Sequence, residues 1–368
     1  MAHLPRDHWP DSTVPLLRDP YRYIGSRSAS FGTQGFRTRI LGRPAVCLTG
    51  AAAAGMFFDP MAFCREGAVP AVVRDVLFGN GGVQGLDGAA HAHRKAMFLA
   101  LMGPSSDLGQ VGSLFDAACR DAAVAWHGRV DLFVELTRVL TRVACAWAGV
   151  PLAATHTDKT AGRLADLFLH AGPNPLGQVK ARLSRHQLEK DMVKLVNQVR
   201  DGTVESAPDQ ALSFIANWRD LDGALLPAEV AAVELLNMLR PTVAIAVYLV
   251  FVADALVHHG GDRGRIAADS AWRQAFVQEV RRTYPFFPAT AAIARKDIDW
   301  QGERIVAGTR VLMDIYGTNR DAMQWCDAED FAPARFLDWP GDPFTLIPQG
   351  GGAHGVTHRC PANGLPLR

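Results

Sequence analysis

The sequence predicts a single domain, residues 1–368, of the mainly α class with small β elements (α+β). Two observations lead to this class. Helical periodicity dominates from about Pro70 to about Pro285, and short strand-like runs lie before and after that stretch. No repeat, low-complexity segment or linker separates two cores within the chain, although 368 residues could form either one large domain or two.

Local patterns predict the elements in order. Residues 36–50 contain two β-prone runs around a turn at Gly42. Residues 130–150 repeat leucine and valine at three- and four-residue spacing, which is typical of a helix with one buried face. Residues 297–317 predict a hairpin and then a third strand.

Residues 228–259 can continue as one very long helix. Pro241 should kink it, because proline breaks the i→i−4 hydrogen-bond ladder. The second half is apolar nearly all round and should therefore lie at the centre of the fold. Its most apolar window, Pro241 to Ala253, is too short to cross a bilayer and better suits a buried core helix.

Composition narrows the class of protein. Hydrophobic residues make up 48% of the chain and charged residues 20%, which excludes wholesale disorder. The net charge of +1 gives no reason to expect a nucleic-acid or anionic-membrane partner. Six cysteines without a C-x-x-C pair, and an N-terminus without an apolar run, predict a soluble protein in the cytoplasm with reduced thiols.

The closing segment, IPQGGGAHGVTHRCP, is the first candidate site. His354, His358 and Cys360 are of ligand types that zinc accepts, but no fourth ligand is signalled nearby. A phosphate loop would need Gly-Lys-Ser/Thr after the glycines. A haem thiolate ligand would need a tight glycine-rich loop around the sulfur, as here. Taken alone, the segment is also compatible with an unliganded cysteine.

The second candidate is Glu279-x-x-Arg282, one helical turn apart, with Arg335 farther on in FAPARF. A glutamate between two arginines would make a structural clasp. A surface i,i+3 ion pair, worth roughly a few tenths of a kcal/mol, is the simpler alternative.

The third candidate is a basic cluster of four residues on little more than one helical turn: His91, His93, Arg94 and Lys95. Such a cluster could hold the carboxylates of a cofactor. A solvated basic helix end is equally compatible with the pattern.

The fourth candidate is Arg240, just ahead of the most apolar stretch. A guanidinium cannot shed its charge, so burial requires an anionic partner. Glu234 is the nearest internal carboxylate, but its spacing places it on another helix face. An anionic ligand with an apolar body, such as a fatty acid, is the functional alternative.

These four segments, in this order and spacing, resemble a cytochrome P450. Glu279-x-x-Arg282 is similar to the E-x-x-R motif of that family, and residues 331–336 resemble its P-x-R-F meander. The segments GGVQGLDG, CAWAGVPL, LRPTVAIAVY and EVRRTYPFFPA, together with the cysteine loop, resemble one branch, the bacterial H2O2-dependent fatty-acid hydroxylases (peroxygenases). Departures from the family occur in the cysteine loop, which is longer and has Ile347 in place of the usual phenylalanine.

The resemblance implies haem b as cofactor, with Cys360 as the axial ligand of its iron, H2O2 as co-substrate and a long-chain fatty acid as substrate. It implies that Arg240 binds the carboxylate, which then serves as the acid-base group, and that hydroxylation occurs at Cα or Cβ without a redox partner. The remaining residues carried over by the resemblance are Pro241 and Gln84 in the catalytic region, Phe78 and Phe287 along the acyl chain, and His91 and Lys95 at the haem propionates.

Cytochromes P450 continue beyond the cysteine through a helix and a C-terminal hairpin, whereas PANGLPLR follows Cys360 here. The sequence therefore predicts a C-terminally incomplete domain that lacks these elements. Two further functions follow as alternatives: an inactive or weakly haem-binding relative, and a monooxygenase that depends on a reductase.

Overall fold

The computed structural model describes residues 4–102, 109–172, 174–259, 263–284 and 286–364. The chain divides into two compact units. The sheet unit comprises residues 1–69 and 251–368, and the helical unit comprises residues 70–250. Pro285, expected to end a helix, and the last four residues, 365–368, lie outside the described residues. The prediction of a single domain stays a prediction.

The described residues contain fourteen α-helices. In chain order they are α1 (Thr13–Arg18), α2 (Tyr23–Phe31), α3 (Ala51–Phe57), α4 (Ala71–Leu77), α5 (Gly88–Met102), α6 (Gly109–Ala125), α7 (Leu132–Ala148), α8 (Thr157–Leu169), α9 (Pro175–Arg200), α10 (Ala211–Ala216), α11 (Ala228–His258), α12 (Arg263–Ala268), α13 (Ser270–Thr283) and α14 (Ile315–Asn319).

Seven β-strands accompany them within the described residues. They are β1 (Gly35–Ile40), β2 (Arg43–Leu48), β3 (Phe63–Cys64), β4 (Ala289–Ala294), β5 (Ile298–Trp300), β6 (Glu303–Ile305) and β7 (Arg310–Asp314).

The five-stranded sheet unites the two ends of the chain within the sheet unit. Its strand order is β1-β2-β7-β4-β3, and β5 pairs with β6 in a separate hairpin. The predicted third strand, β7, joins this larger sheet. It runs parallel to β2, with Ala45 opposite Arg310, and antiparallel to β4. The sequence patterns did not predict β3 and β4, because β3 has two residues and β4, ATAAIA, is mostly alanine, which strands use little.

Helix α7 shows how the helical unit is built. Asp131 caps its first turn by accepting a hydrogen bond from the N–H of Val134, 3.1 Å away. Gly149, at φ 73°, ends it in the left-handed conformation that favours glycine. Val139 and Val143 are 0% and 2% exposed and pack against α6, so the predicted apolar face is the buried one.

The long helix is present, but its burial differs from the expectation. Residues 231–240 are all buried, whereas the more apolar second half has mostly half-buried and exposed positions, with Val243, Ala244, Ala246 and Ala255 buried among them. Ile245 is 44% exposed and Val257 69% exposed. The second half packs against apolar neighbours on part of its surface only, as around Ala246 and Ala255. A helix that is apolar on all sides was expected to be buried on all sides, and this expectation was wrong.

Among the described residues, α11 is the one helix long and apolar enough to cross a membrane by length and hydropathy, and half of its most apolar window is buried inside the protein. Glu234, Asn237 and Arg240 lie in its fully buried stretch, residues 231–240. Buried polar residues of this kind are typical of a core helix that packs on other protein elements.

Candidate active site

Arg240 is the last residue of the fully buried stretch of α11, residues 231–240, within the helical unit. It is 5% exposed, and its guanidinium carbon is 5.9 Å from the centre of the Phe78 ring. The helix continues through Pro241, the next residue. The structure thus places a permanent cation beside an aromatic side chain in an apolar part of the helix.

Glu234, six residues before Arg240, is engaged by other side chains. It is fully buried, accepting a hydrogen bond of 2.9 Å from Nη1 of Arg94 and one of 3.0 Å from Nδ2 of Asn237. Burial raises the pKa of Glu234, and the contacts with Asn237 and Arg94 act in the opposite direction. Both carboxylate oxygens are therefore committed to groups other than Arg240, as the helical spacing indicated.

Glycines bring the loop between α4 and α5 close to its neighbours. A Cβ on Gly82 would lie 2.7 Å from Nδ2 of Asn237, and a Cβ on Gly79 would lie 2.8 Å from the guanidinium carbon of Arg185. Gly79 also has φ 78°, a conformation that side chains rarely adopt. The glycines therefore let the backbone after Phe78 pass close to Arg185 and Asn237.

Gln84 follows in the same loop, within a short 3₁₀ turn, Val83–Gly85. Its Oε1 is buried and accepts no hydrogen bond from the described residues. A buried amide oxygen needs a donor, since leaving it unsatisfied costs about 1–3 kcal/mol. Gln84 is thus suited to receive a hydrogen bond from a small bound molecule.

Arg185 of α9 holds the backbone at Phe78. Its Nη2 donates to the carbonyl oxygen of Phe78 at 3.3 Å, and its Nε donates to Glu189 at 2.6 Å. The arginine is only 4% exposed. Sequence reasoning missed it, because an arginine four residues before a glutamate on a helix is typical of an exposed ion pair.

Three of the four residues of the basic cluster on α5, His91, Arg94 and Lys95, are buried, which rules out a solvated helix end. His91 and Lys95, four residues apart on one face, are 5% and 2% exposed. Arg94 binds Glu234, and its Nη2 also donates to Asp220 at 3.0 Å. A ring nitrogen of His93 lies 2.8 Å from a backbone carbonyl oxygen, that of Arg219. Within the cluster, Arg94 and His93 thus have internal structural partners.

In the sheet unit, Glu279 lies between two arginines at the end of α13. Arg282 donates from Nε and Nη2 to its two oxygens at 2.7 and 2.8 Å, and both residues are 0% exposed. Nε of Arg335 lies 3.3 Å from the same carboxylate. The surface ion pair is excluded, because this bidentate pair is completely buried.

The clasp connects to the loop that leads to Cys360. Nη1 of Arg282 donates to the carbonyl oxygen of Asn319 at 3.3 Å, and Oδ1 of Asn319 accepts from the N–H of Ile347 at 2.8 Å. A second connection runs from Arg281, whose Nη2 donates to Oε1 of Gln349 at 2.8 Å. Sequence reasoning did not identify Asn319, Gln349 or Arg281, since no pattern marks such long-range contacts.

The two ends of the loop before Cys360 are joined by a backbone hydrogen bond, and glycines form the turn between them. The Cys360 N–H donates to the carbonyl oxygen of Gln349 at 3.0 Å. Gly350 and Gly352 have φ of 90° and 84°, and a Cβ on Gly352 would lie 2.6 Å from Thr357. Any side chain at these positions would push the loop open, so the glycines are needed to bring the backbone around the half-buried sulfur.

Two other expectations concern the sheet unit. Phe287 is 36% exposed and packs edge-to-face on Phe286, with 4.6 Å between ring centres. His354 places Nε2 2.5 Å from the carbonyl oxygen of Pro361. Among the described residues, no group of three His, Cys, Asp or Glu side chains is arranged to hold a metal ion, so the structure gives no support to the zinc alternative.

Comparisons with known proteins agree with these motifs. The cytochrome P450 family model matches residues 273–355. Cytochrome P450SP alpha (CYP152B1), solved in complex with (R)-ibuprofen, is 44% identical, with a TM-score of 0.94 over 97% of this chain and 88% of that one. This chain belongs to the cytochrome P450 family. Cytochrome P450EX alpha (CYP152N1), solved with myristic acid, is 37% identical, with a TM-score of 0.95 over 99% of this chain and 88% of that one.

Among curated relatives, the putative cytochrome P450 137 of Mycobacterium tuberculosis is 32% identical over 112 residues, which are 29% of this chain and 24% of that protein. The chain thus spans about a quarter of the curated relative it matches. The predicted fold class and the peroxygenase branch are confirmed. Haem as cofactor and the oxidoreductase class are confirmed at the level of the family, and H2O2 as oxidant at the level of the peroxygenase branch.

The residues present fit a haem held by a thiolate. In the sheet unit, the glycine loop leaves space that a Cβ would fill and presents a half-buried cysteine sulfur. In the helical unit, Lys95 is 2% exposed beside His91, which is a suitable donor pair for carboxylates. Burial lowers the pKa of Arg359, while the adjacent Cys360 raises it, so a cation stands next to the thiol.

Proposed function

We propose that the protein is a fatty-acid peroxygenase that hydroxylates long-chain fatty acids at Cα or Cβ with H2O2, in the cytoplasm and without a redox partner. The observation that carries the proposal is the burial of Arg240 beside Phe78 in an apolar helix. The myristic acid bound by cytochrome P450EX alpha supports the class of substrate.

Arg240 binds the carboxylate of the fatty acid. A guanidinium presents two parallel N–H donors to a carboxylate, which fixes the orientation of the acid as well as its position. The desolvation that makes a buried arginine costly also strengthens its attraction to an entering anion. The Phe78 ring, in contact range of the guanidinium, lies against the carbons that follow the carboxylate.

The bound carboxylate serves as the acid-base group. It accepts a proton from one oxygen of H2O2 and returns it to the other as the O–O bond breaks, so one oxygen leaves as water. The second oxygen enters a C–H bond of the fatty acid, and the products are a hydroxy fatty acid and water. Haem, when bound, supplies the iron at which this oxygen transfer takes place.

Other residues have supporting roles in the proposal. Cys360 ligates the iron, and His91 and Lys95 bind the propionates. Gln84 hydrogen-bonds a small molecule through its buried amide, Pro241 shapes the helix after Arg240, and Phe287 contacts the acyl chain. Glu279, Arg282 and Arg335 fix the segment that supports the cysteine loop.

The deciding experiment supplies the haem-loaded protein with myristic acid and H2O2 and measures hydroxylated product by mass spectrometry. Arg240→Ala should lower turnover at least about 100-fold while leaving the haem spectrum unchanged, because the carboxylate loses its anchor and its catalytic position. Arg120→Ala, an exposed arginine of α6, is the matched control and should keep the parent activity.

Two outcomes would contradict the proposal. Turnover with NADPH and a reductase but not with H2O2 would assign a monooxygenase instead. A reduced, CO-treated protein without the red-shifted Soret band of a thiolate-ligated haem would remove Cys360 as the ligand. In that case the relative that does not retain haem becomes the better description.

A further inference from the structure

The outer face of α9 carries a stripe of exposed aliphatic side chains. Leu176, Val179 and Leu183 are 83%, 56% and 67% exposed. Spacings of three and four residues place them on one side of the helix. Leu169, the last residue of α8, is 50% exposed and lies at the end of α8 from which the chain turns into α9. Scattered exposed leucines are ordinary, but a contiguous stripe of them marks an interaction surface.

The same face becomes basic farther along the helix. Lys190 and Lys194 are exposed and follow Leu183 by about 10 and about 16 Å along the axis, at a rise of 1.5 Å per residue. Arg182 is exposed next to the stripe. Helix α9 contains six lysines and arginines and two acidic residues, a net charge of +4, whereas the whole chain has +1. The near-neutral total therefore hides a local concentration of positive charge.

Some of that charge is balanced within the protein. Lys180 pairs with Asp166 at 2.8 Å, and Arg185 pairs with Glu189 at 2.6 Å. Of the acidic residues of α9, Asp191 lies 3.7 Å from Arg163 of α8. The exposed cations beside and beyond the stripe are thus those that can meet an external anionic surface.

We propose that this face of α9 docks on an anionic lipid bilayer. The aliphatic end enters the boundary between headgroups and acyl chains, and the basic end meets the anionic headgroups, which is the arrangement that holds amphipathic helices at membrane surfaces. A second copy of the chain is the less suitable occupant, because a two-fold interface would bring the exposed Arg182, Lys190 and Lys194 of two copies together. This inference goes beyond the proposed function and does not depend on it.

The test is co-sedimentation of the full haem-loaded chain with vesicles. Vesicles of phosphatidylcholine with about 30% phosphatidylglycerol should bind the protein at low salt, and binding should fall steeply at high salt and without phosphatidylglycerol. The triple variant Leu176→Ser, Val179→Ser, Leu183→Ser should lower partitioning at least about tenfold. Its matched control replaces three scattered residues of similar exposure: Val124→Ser, Val257→Ser and Met323→Ser.

A charge variant separates the two contributions. Lys190→Gln with Lys194→Gln should weaken binding to anionic vesicles and flatten its salt dependence, whereas the exposed pair Lys159→Gln with Lys296→Gln should not. Absence of binding to anionic vesicles, or equal binding by the triple variant and its control, would overturn the proposal. So would a dimer in solution that the triple variant converts to monomer, because a second copy would then cover the stripe.

Discussion

Two buried glutamate–arginine systems occur in this protein, and they are built differently. In the sheet unit, Glu279 and Arg282 are three residues apart on one helix and bind each other in bidentate fashion. In the helical unit, Glu234 and Arg240 are six residues apart on one helix, and Glu234 binds Arg94 of another helix. In the first system the bidentate partner comes from the same helix, and Arg335 from another segment adds a longer contact of 3.3 Å, whereas in the second the glutamate takes its arginine from another helix.

Spacing explains the difference. Residues three apart on a helix lie about 60° apart around the axis, so their side chains meet, whereas residues six apart lie about 120° apart and do not. A buried arginine at the first spacing is a structural residue. At the second spacing the two side chains leave the helix on different faces, and we propose that this arrangement lets Arg240 bind a ligand.

The pair of Glu279 and Arg282 should be the more sensitive to loss of one partner. Glu279→Gln leaves Arg282 buried beside a neutral amide, and we expect the free energy of unfolding to fall by about 3–5 kcal/mol. Urea unfolding of the haem-loaded protein measures it. The matched control is Glu329→Gln. The side chain of Glu329 is 79% exposed and pairs with Arg320. That variant should change the stability by less than about 1 kcal/mol, and equal effects of both variants would contradict the contrast.

The system of Glu234 and Arg94 should tolerate loss of its arginine better. Arg94→Met leaves Glu234 without its cation, but Glu234 can take up a proton, since burial already raises its pKa. We expect a loss of about 2–3 kcal/mol at neutral pH and a smaller loss at lower pH. The double variant Arg94→Met, Glu234→Leu should recover most of the stability in the same measurement. No recovery would show that Arg94 stabilises the protein mainly through its other contacts.

Among the described residues, a third buried carboxylate, that of Asp314, is hydrogen-bonded to neutral groups and not to an arginine. Asp314, 1% exposed, caps α14 by accepting a hydrogen bond from the N–H of Gly317 at 2.8 Å, and burial raises its pKa to about 7. The folded protein holds a proton there that the unfolded chain loses near its ordinary pKa of 3.8. Stability should therefore fall as the pH rises from about 4 to about 7, by at most about 1.4 kcal/mol per pH unit.

Asp314→Asn keeps the capping oxygen and removes the titration. The variant should flatten the pH profile of unfolding over this range, measured against the parent protein. An unchanged profile would assign the pH dependence to other groups.

The sequence was sufficient for features that depend on local spacing. The hairpin of β1 and β2, the place of α7 within two residues at each end and the extent of α11 within one residue follow from periodicity and turn residues. The predicted β7 has its expected place in the chain, but its pairing with β2 is set by residues about 265 positions apart, which no local pattern contains. The predicted burial of the second half of α11 was wrong, because hydropathy does not show how many neighbours a helix has.

The same limit applies to the candidate site. Arg240 could be identified from the sequence, because a charged residue directly before an apolar run is unusual. Arg185, Asn319 and Gln349 could not, because each contacts backbone or side chains far away in the sequence. Gly79 is informative only once Arg185 is seen beside it.

The smallest predicted effect concerns Arg185, which acts on the proposed substrate site through the backbone of Phe78. Arg185→Gln removes the donor to the Phe78 carbonyl oxygen, so the ring beside Arg240 loses a constraint. We expect KM for myristic acid to rise about three- to tenfold, the value of roughly one hydrogen bond, with kcat changed less. Arg185→Lys should recover part of the effect, and Arg182→Gln, exposed on the same helix, is the control. If both glutamine variants have the same KM as the active parent protein, Arg185 does not position Phe78. The orientation of the fatty acid would then depend on Arg240 itself and not on the backbone that carries the Phe78 ring.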